Sequence, residues 1–313
     1  MLRVFLVLAV LGALGGVLAA REVAALWAAP LHVGPEGYVL DVRAGDSLRG
    51  IAERLEGDGV YAAPLLLRAY GRWTGLDQQL RRGEYLVEPG TTPEQLLLLL
   101  VSGRVVQYQV TLPEGITLAR ALAILAEHYD IRTTLAGVND ERIAALAAGY
   151  PGPEGLFFPD TYSFERGASD WDIIQRAFER MQEVLAQEWQ DRAQGLPYET
   201  PYEALVMASI IERETGLPEE RGEIAGVFVR RLDKRMRLQT DPTVIYGLGE
   251  NFDGNLRRSH LADDSNPYNT YRHRGLPPTP IALPGRAAIH AALHPLAGEA
   301  LFFVARGDGG HVF

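Results

Sequence analysis

TPYEALVMASIIERETG, residues 200–216, carries the start and stop signals of one short helix. Thr200 suits the N-cap position, Pro201 suits the first helical position, and Glu203 would complete a capping box with Thr200. Gly216 marks the end of the helix. The stretch therefore predicts a helix of about four turns that finishes in acidic residues.

The two glutamates at the end of this predicted helix point in different directions. At about 100° per residue, Glu214 lies in line with Met207 and Ile210, whereas Glu212 points roughly 200° away. Glu214 extends the bulkier apolar ridge and lies in the last turn, where the helix dipole disfavours a carboxylate. Partial burial and the dipole would both raise the pKa of Glu214, as a proton donor near neutral pH requires. The alternative is that both glutamates are solvated charges at a helix end.

Length and composition describe a globular protein with an added hydrophobic segment. The 313 residues suffice for about two or three domains, and 47% of them are apolar while 22% are charged. The net charge of −10, with no basic block in the sequence, argues against binding of nucleic acid. Because there are no cysteines, disulfides, thiolate catalysis and thiolate metal sites are excluded.

The hydrophobic segment at the start places the chain at a membrane. Residues 4–20 hold no charged side chain and lie between Arg3 and Arg21. This run and the apolar residues after it predict a transmembrane anchor over residues 1–29. A cleaved signal peptide is the alternative, because Leu18–Ala20 resembles a small-residue cleavage site. Since no second apolar span follows, the rest of the chain is expected on the periplasmic or extracytoplasmic side of the inner membrane.

A small module follows a linker over residues 30–37. Tyr38–Val42 and Gly83–Val87 have strand patterns, and two helical patterns lie between them, the first burying Leu48, Ile51, Ala52 and Leu55. This order, together with AGDSLRGIA at residues 44–52, resembles a LysM module, a small fold associated with glycans that contain N-acetylglucosamine. The module either binds sugar or serves only as a spacer.

The sequence offers little for cofactor or metal chemistry. No P-loop, no GxGxxG after a strand and no GxSxG turn is present. The seven histidines show no HExxH and no other ligand spacing, so neither a metal nor a cofactor is expected. Ser209 lies in the middle of the predicted helix with no histidine nearby in sequence. Acid catalysis by a carboxyl group remains.

Five ordered motifs closely resemble the endolytic murein transglycosylase family, MltG or YceG-like. They are EGLFFPDTYSF at 154–164, MASIIERET at 207–215, LQTDPTVIYGLG at 238–249, YNTYRHRGLPPTPIALPG at 268–285 and LFFVARGDGGHVF at 301–313. The resemblance covers most of the chain from the LysM-like module onward. It implies a membrane-anchored lytic transglycosylase that cuts the MurNAc–GlcNAc bond inside nascent peptidoglycan strands and terminates their elongation. It also implies proximity to peptidoglycan synthases and a further segment beyond Phe313.

The resemblance identifies a catalytic residue. The family's catalytic glutamate is the second Glu of its ASIIExE motif, which is Glu214 in this chain. Protonated Glu214 would give its proton to the glycosidic oxygen and then accept the proton of the attacking C6 hydroxyl, leaving a 1,6-anhydroMurNAc end. The loops after this helix supply candidates for holding the sugar, namely Gln239, Thr240, Tyr246, Asn269 and Tyr271. Asp241, which precedes Pro242, is expected to fix its own loop.

Two other functions remain open at this point. A lysozyme-type hydrolase would use Asp241 or Glu219 as a second carboxyl, because glycosidases normally employ two. A noncatalytic cell-wall-binding scaffold would rely on the LysM-like module alone.

The predicted fold class is α+β. Its parts are an N-terminal transmembrane helix, a LysM-like βααβ module, and a mixed α+β catalytic domain with a lysozyme-like helical element and a closing hairpin. The predicted divisions are an anchor over 1–29, a linker over 30–37, the LysM-like module over 38–103 and the catalytic domain over 104–313.

Overall fold

The computed structural model describes residues 2–307 and 310–313, with side chains from residue 12 onward. The fold is mixed α+β, with short two-stranded sheets among helices. The helices are α1 Leu2–Ala28, α2 Leu48–Gly57, α3 Pro64–Thr74, α4 Pro93–Ser102, α5 Leu118–Glu127, α6 Glu141–Leu146, α7 Asp170–Gln190, α8 Pro201–Glu214, α9 Arg221–Asp233, α10 Asp241–Leu248, α11 Arg258–Ala262 and α12 Arg286–Leu293. The strands are β1 Tyr38–Val42, β2 Gly83–Val87, β3 Tyr108–Thr111, β4 Thr161–Phe164, β5 Val304–Ala305 and β6 His311–Val312. The chain divides into two compact units between Tyr108 and Gln109.

The first unit contains a two-stranded antiparallel sheet. β1 pairs with β2 so that Tyr38 lies opposite Val87 and Val42 lies opposite Gly83. α2 and α3 connect the strands and pack against each other. The buried face of α2 consists of Leu48, Ile51, Ala52 and Leu55, as its spacing predicts. The predicted order of strand, two helices and strand is therefore confirmed.

The segment over residues 30–37, predicted as a linker, is attached to the first unit. Leu31 is buried, and its N–H donates to the carbonyl of Thr91 at 2.8 Å. The N–H of His32 donates to the carbonyl of Val60 at 2.9 Å. These bonds fix the chain that leads from α1 into β1.

α1 covers most of the predicted anchor over residues 1–29. Met1 and the side chains of residues 2–11 lie outside the described residues. Within the part that is described, no helix combines the length and apolar character needed to cross a membrane. Near its C-terminal end, α1 packs the ring of Trp27 against Tyr70 of α3, with the ring centroids 4.3 Å apart.

α8 is the central helix of the second unit. Every residue from Ala204 to Ile211 is buried, which is typical of a helix surrounded by others. α7, α9, α10 and α12 pack around it. Ser209 donates to the carbonyl of Val206 at 2.7 Å and accepts the N–H of Ile281 at 3.0 Å, so its hydroxyl ties a later loop to α8.

Both ends of α8 lie where the sequence predicts them, with one difference at the start. Thr200 accepts the N–H of Glu203 at 3.3 Å, as an N-cap should. The Glu203 carboxylate accepts the N–H of Glu199 at 2.5 Å rather than that of Thr200, so the predicted capping box is only half formed. The helix ends at Glu214 because Thr215 has an extended backbone.

The closing hairpin is present and short. β5 and β6 pair antiparallel, with Val304 opposite Val312 and Ala305 opposite His311. The N–H of Arg306 donates to the carbonyl of Gly310 at 2.8 Å. Residues 308 and 309 of the turn lie outside the described residues. His311 is the first residue of β6 and so belongs to this hairpin.

Candidate active site

Glu214 ends α8 in a mostly desolvated position. The residue is partly exposed, but its carboxyl lies deep enough that burial raises its pKa, and the negative charge of Asp241 raises it further. The Thr240 hydroxyl, His311 and Arg231 act in the opposite direction. The Oγ1 atom of Thr240 is buried, so this hydroxyl acts on Glu214 out of contact with water. The result is a carboxyl that holds a proton at higher pH than an exposed glutamate does.

Glu212 has a structural role instead. Its side chain is only 6% exposed and pairs with the guanidinium of Arg221 at 3.3 Å. Its second oxygen accepts the N–H of Gly285, which caps α12, at 2.9 Å. The two glutamates therefore face different surroundings, as their helical positions predict. The alternative that both are solvated helix-end charges is wrong.

The loop before α10 brings Thr240 to Glu214. Gln239 has a φ of 54°, in the left-handed region that a residue with a side chain adopts at a cost of about 1 kcal/mol or more. Its N–H donates to the carbonyl of Thr270 at 3.2 Å, and the N–H of Thr240 donates to the Thr270 hydroxyl at 3.0 Å. Thr243 closes this buried network through its hydroxyl, 2.9 Å from that of Thr270. The hydrogen bonds to a second loop, that of Thr270, therefore stabilise the left-handed backbone conformation of Gln239.

That second loop supplies Tyr271. The Tyr271 hydroxyl donates to the carboxylate of Asp241 at 2.7 Å. The charge of Asp241 acts on Glu214, and the charge of Glu214 acts on Tyr271. Asp241 is exposed and is the first residue of α10. Its bond with Tyr271 joins the loop before α10 to the second loop.

Asn269 serves the backbone of its loop. Its side-chain nitrogen donates to the carbonyls of His260, Leu261 and Asp263 at 3.1, 3.3 and 2.7 Å. Its side-chain oxygen accepts the N–H of Tyr271 at 3.0 Å. Since Asn269 is fully buried and all its polar atoms are used, it positions Tyr271 and leaves no atom for a sugar.

Two residues near Glu214 were not selected from the sequence. The Glu220 carboxylate accepts the N–H of His311 at 2.7 Å, and its second oxygen lies 2.7 Å from Nδ1 of the same histidine. Glu220 also accepts the hydroxyl of Thr215, the residue after Glu214, at 3.2 Å. The contact with His311 holds the pKa of Glu220 below its usual range, so Glu220 is an anion that orients the imidazole. The GGHVF motif contains His311, but nothing in its spacing relates it to α8.

A second buried carboxyl, Glu154, was also missed. It accepts the N–H of Leu118 at 2.9 Å and the Tyr246 hydroxyl at 3.2 Å. Burial raises its pKa to about 7, against the effect of these bonds. It lines a cavity of about 880 Å³ that also contacts Arg213 and Pro242, the immediate neighbours of Glu214 and Asp241. The EGLFFPDTYSF motif contains Glu154, but nothing in the motif's sequence distinguishes a buried carboxyl from an exposed one.

The structure therefore separates the predicted sugar-binding residues into three groups. Gln239, Thr240 and Tyr271 lie in the loops around Glu214. Tyr246 lines the cavity of Glu154, where its ring meets that of Tyr268 edge to face at 4.9 Å. Asn269 is internal.

Comparisons with known proteins agree on one relationship. The sequence profile of the YceG-like family matches residues 40–313. A Bacillus subtilis (strain 168) protein named endolytic murein transglycosylase is 31% identical over 292 residues, covering 88% of this chain and 80% of its own. A Streptococcus pneumoniae protein of the same name is 27% identical over 318 residues, covering 91% of this chain and 57% of its own. The crystal structure of a yceG-like protein from Listeria monocytogenes superposes with a TM-score of 0.55 at 29% identity, covering 88% of this chain and 95% of that one.

Proposed function

Because the chain belongs to the YceG-like family, we propose that it is an endolytic murein transglycosylase that cleaves the MurNAc–GlcNAc bond of nascent peptidoglycan strands. The observation that carries this proposal is the position of Glu214, a desolvated carboxyl that lies beside the loops carrying Thr240 and Tyr271. Neutral hydroxyl and amide groups suit a polyhydroxyl substrate, and the raised pKa suits an acid catalyst.

In the proposed reaction Glu214 acts twice. As a neutral acid it gives its proton to the glycosidic oxygen while the bond between that oxygen and the anomeric carbon breaks. The C6 hydroxyl oxygen of the same muramic acid bonds to the anomeric carbon, and the Glu214 carboxylate accepts the hydroxyl proton. The carboxyl is thereby restored, and the product is a 1,6-anhydroMurNAc end formed without water. One carboxyl group suffices for these two proton transfers, in contrast to the pair of carboxyl groups that a hydrolase needs.

The surroundings of Glu214 support this assignment over the hydrolase. Glu219 is exposed, and Asp241 is occupied by the Tyr271 hydroxyl at 2.7 Å. Tyr271 would hold the sugar, with Gln239 exposed beside it, whereas the buried hydroxyl of Thr240 acts on the carboxyl of Glu214. His311, which Glu220 orients, lowers the pKa of Glu214 and would thereby help to stabilise the carboxylate that forms after proton transfer.

The cavity of Glu154 would hold a more distant part of the same strand. Tyr246 and Tyr268 give it aromatic surface, on which a sugar ring can stack, and Arg213 and Thr117 add hydrogen-bond donors. Since an endolytic enzyme must bind sugars on both sides of the cleaved bond, a cavity that begins one residue from Glu214 fits an internal cut.

The first unit and α1 complete the proposal. The βααβ arrangement of residues 38–87 supports a LysM-like glycan-binding module. The uncharged run over residues 4–20 supports an anchor in the inner membrane, with the catalytic domain on its outer side. Strand termination there would bring the enzyme close to peptidoglycan synthases.

The test replaces single carboxyls and measures cleavage of uncrosslinked glycan strands. Glu214→Gln should abolish cleavage while near-ultraviolet circular dichroism and glycan binding stay unchanged. Glu219→Gln is the matched control, and it should cleave as the wild type does. Cleavage that survives in Glu214→Gln, or a wild type that binds strands without cutting them, would favour the scaffold. Loss of cleavage in Glu219→Gln or Asp241→Asn, with release of reducing ends by the wild type, would favour the hydrolase.

A further inference from the structure

Two helices of the second unit bring together three side chains that can bind a metal ion. His290 lies on α12, His294 directly follows the last residue of that helix, and Glu188 lies on α7, which packs against α12. One ring nitrogen of each histidine and one oxygen of Glu188 lie within 4.8 Å of one another. The sequence expectation that the seven histidines show no ligand spacing did not take account of this pair, which lies four residues apart.

The hydrogen bonds of Glu188 prepare its carboxylate for this role. Arg286 donates to one oxygen at 2.7 Å, and Nδ1 of His290 lies 2.9 Å from the other. The carboxyl group is largely shielded from water, with 11% of the side chain exposed, and it faces His290.

His294 has the outer contact that metal-binding histidines usually show. Its Nε2 lies 2.8 Å from the carbonyl oxygen of Asp191, so a proton on Nε2 donates there. In that tautomer Nδ1 keeps its lone pair, and a histidine that ligates a metal commonly gives its other N–H to a carbonyl in this way. Nδ1 also lies 3.2 Å from the carbonyl of His290, a contact that a doubly protonated ring would use and that a metal would replace.

The distances suit a small divalent cation of intermediate softness. Zinc binds histidine nitrogen and carboxylate oxygen at about 2.0 to 2.2 Å, which sets ligand atoms roughly 3.3 Å apart in a tetrahedron. The observed 2.9 Å and the upper limit of 4.8 Å bracket that value, so small side-chain rotations suffice. The rings of His290 and His294 are stacked, with centroids 4.1 Å apart, so the two histidines are already adjacent.

We propose that Glu188, His290 and His294 form a zinc-binding site that joins the C-terminal end of α12 to α7. The three residues line a cavity of about 840 Å³, which leaves room for water as a fourth ligand. α12 also packs against α8, the helix that ends in Glu214, so the ion would strengthen the support of the catalytic helix. The site takes no part in the proposed sugar chemistry.

The experiment titrates zinc chloride into the full chain purified on a tag without histidine. Isothermal titration calorimetry should show one zinc ion per chain, and His290→Ala and His294→Ala should each weaken binding by more than about tenfold, since even loss of an outer contact costs about that much. His273→Ala, which removes an exposed histidine from another loop, is the matched control and should bind zinc as the wild type does.

Two further measurements, visible absorption with cobalt and thermal unfolding with zinc, test the proposed site independently of calorimetry. Cobalt bound in place of zinc should give the intense visible absorption of a tetrahedral site, absent in both histidine variants. Zinc should raise the thermal unfolding midpoint of the wild type and of His273→Ala, but not that of His290→Ala or His294→Ala. No saturable binding by the wild type, or equal binding by wild type and both site variants, would overturn the proposal. Because His290 is exposed, its alanine variant should fold, and circular dichroism without metal checks this.

Discussion

Glu154 provides a quantitative test of burial in the cavity that it lines with Tyr246. Its pKa is raised from 4.5 to about 7, chiefly by burial. The folded protein therefore holds this proton more tightly than the unfolded chain does, and the carboxyl lowers stability as pH rises through that range. At 1.36 kcal/mol for each pH unit, the full effect is about 3 kcal/mol.

Glu154→Gln removes the titration and keeps the shape of the side chain. We expect the free energy of unfolding of the variant, relative to the wild type, to rise by about 3 kcal/mol between about pH 4 and about pH 8. Urea unfolding followed by circular dichroism at several pH values measures that difference. Glu250→Gln, which removes an exposed carboxyl from the same cavity, corrects for the loss of one acid. A difference that does not change with pH, or that falls as pH rises, would refute the argument that Glu154 is destabilised by burial.

Three more substitutions test the loops around the candidate active site, and a fourth, Arg235→Gly, serves as a control. Thr240→Val removes a hydroxyl that lowers the pKa of Glu214, so the alkaline fall of the pH–rate profile should move to higher pH, and an unchanged profile would count against that contact. Asn269→Ala removes three bonds to backbone carbonyls, so thermal unfolding should show a loss of about 2 to 4 kcal/mol, and a loss below about 0.5 kcal/mol would contradict its positioning role. Gln239→Gly relieves a left-handed backbone and should gain up to about 1 kcal/mol of stability, as should Arg235→Gly with its φ of 52°. Of these two glycine variants, only Gln239→Gly should lose activity, and equal activity in both would remove Gln239 from the sugar-binding set.

Local signals in the sequence predict much of the fold. The buried residues of α2 recur at helical spacing, and Thr92, Thr117 and Ser169 each accept the backbone N–H three residues on, as N-caps do. Strands β1 and β2 coincide with their predicted bounds. These features depend on neighbouring residues alone, so the sequence contains what is needed to predict them.

The candidate site is less predictable because its parts are distant in sequence. The helical positions of Glu212 and Glu214 indicate that they face different sides, but only the fold shows that Arg221 and Gly285 occupy the side of Glu212. Polar composition selected Asn269 together with Tyr271. Composition cannot show that Asn269 is buried with all its polar atoms hydrogen-bonded, whereas Tyr271 lies near Glu214.

Long-range pairs account for the residues that were missed. Glu220 and His311 are 91 residues apart, and Glu154 and Tyr246 are 92 apart. The acidic character of Glu220 and Glu154 gives no sign of burial, because each is surrounded in sequence by turn residues typical of a surface. Their roles follow from tertiary packing, which a single sequence does not encode locally.

The most direct test of the account is the chemistry of the new glycan end. Uncrosslinked strands are digested in water enriched in oxygen-18, and the products are analysed by mass spectrometry, with Glu214→Gln as the inactive reference. If Glu214 passes its proton to the bridging oxygen and the C6 hydroxyl closes the ring, every new end is a 1,6-anhydroMurNAc without the heavy isotope. Reducing ends that carry oxygen-18 would contradict the account, because they would show that water, and not the sugar's own hydroxyl, completes the reaction.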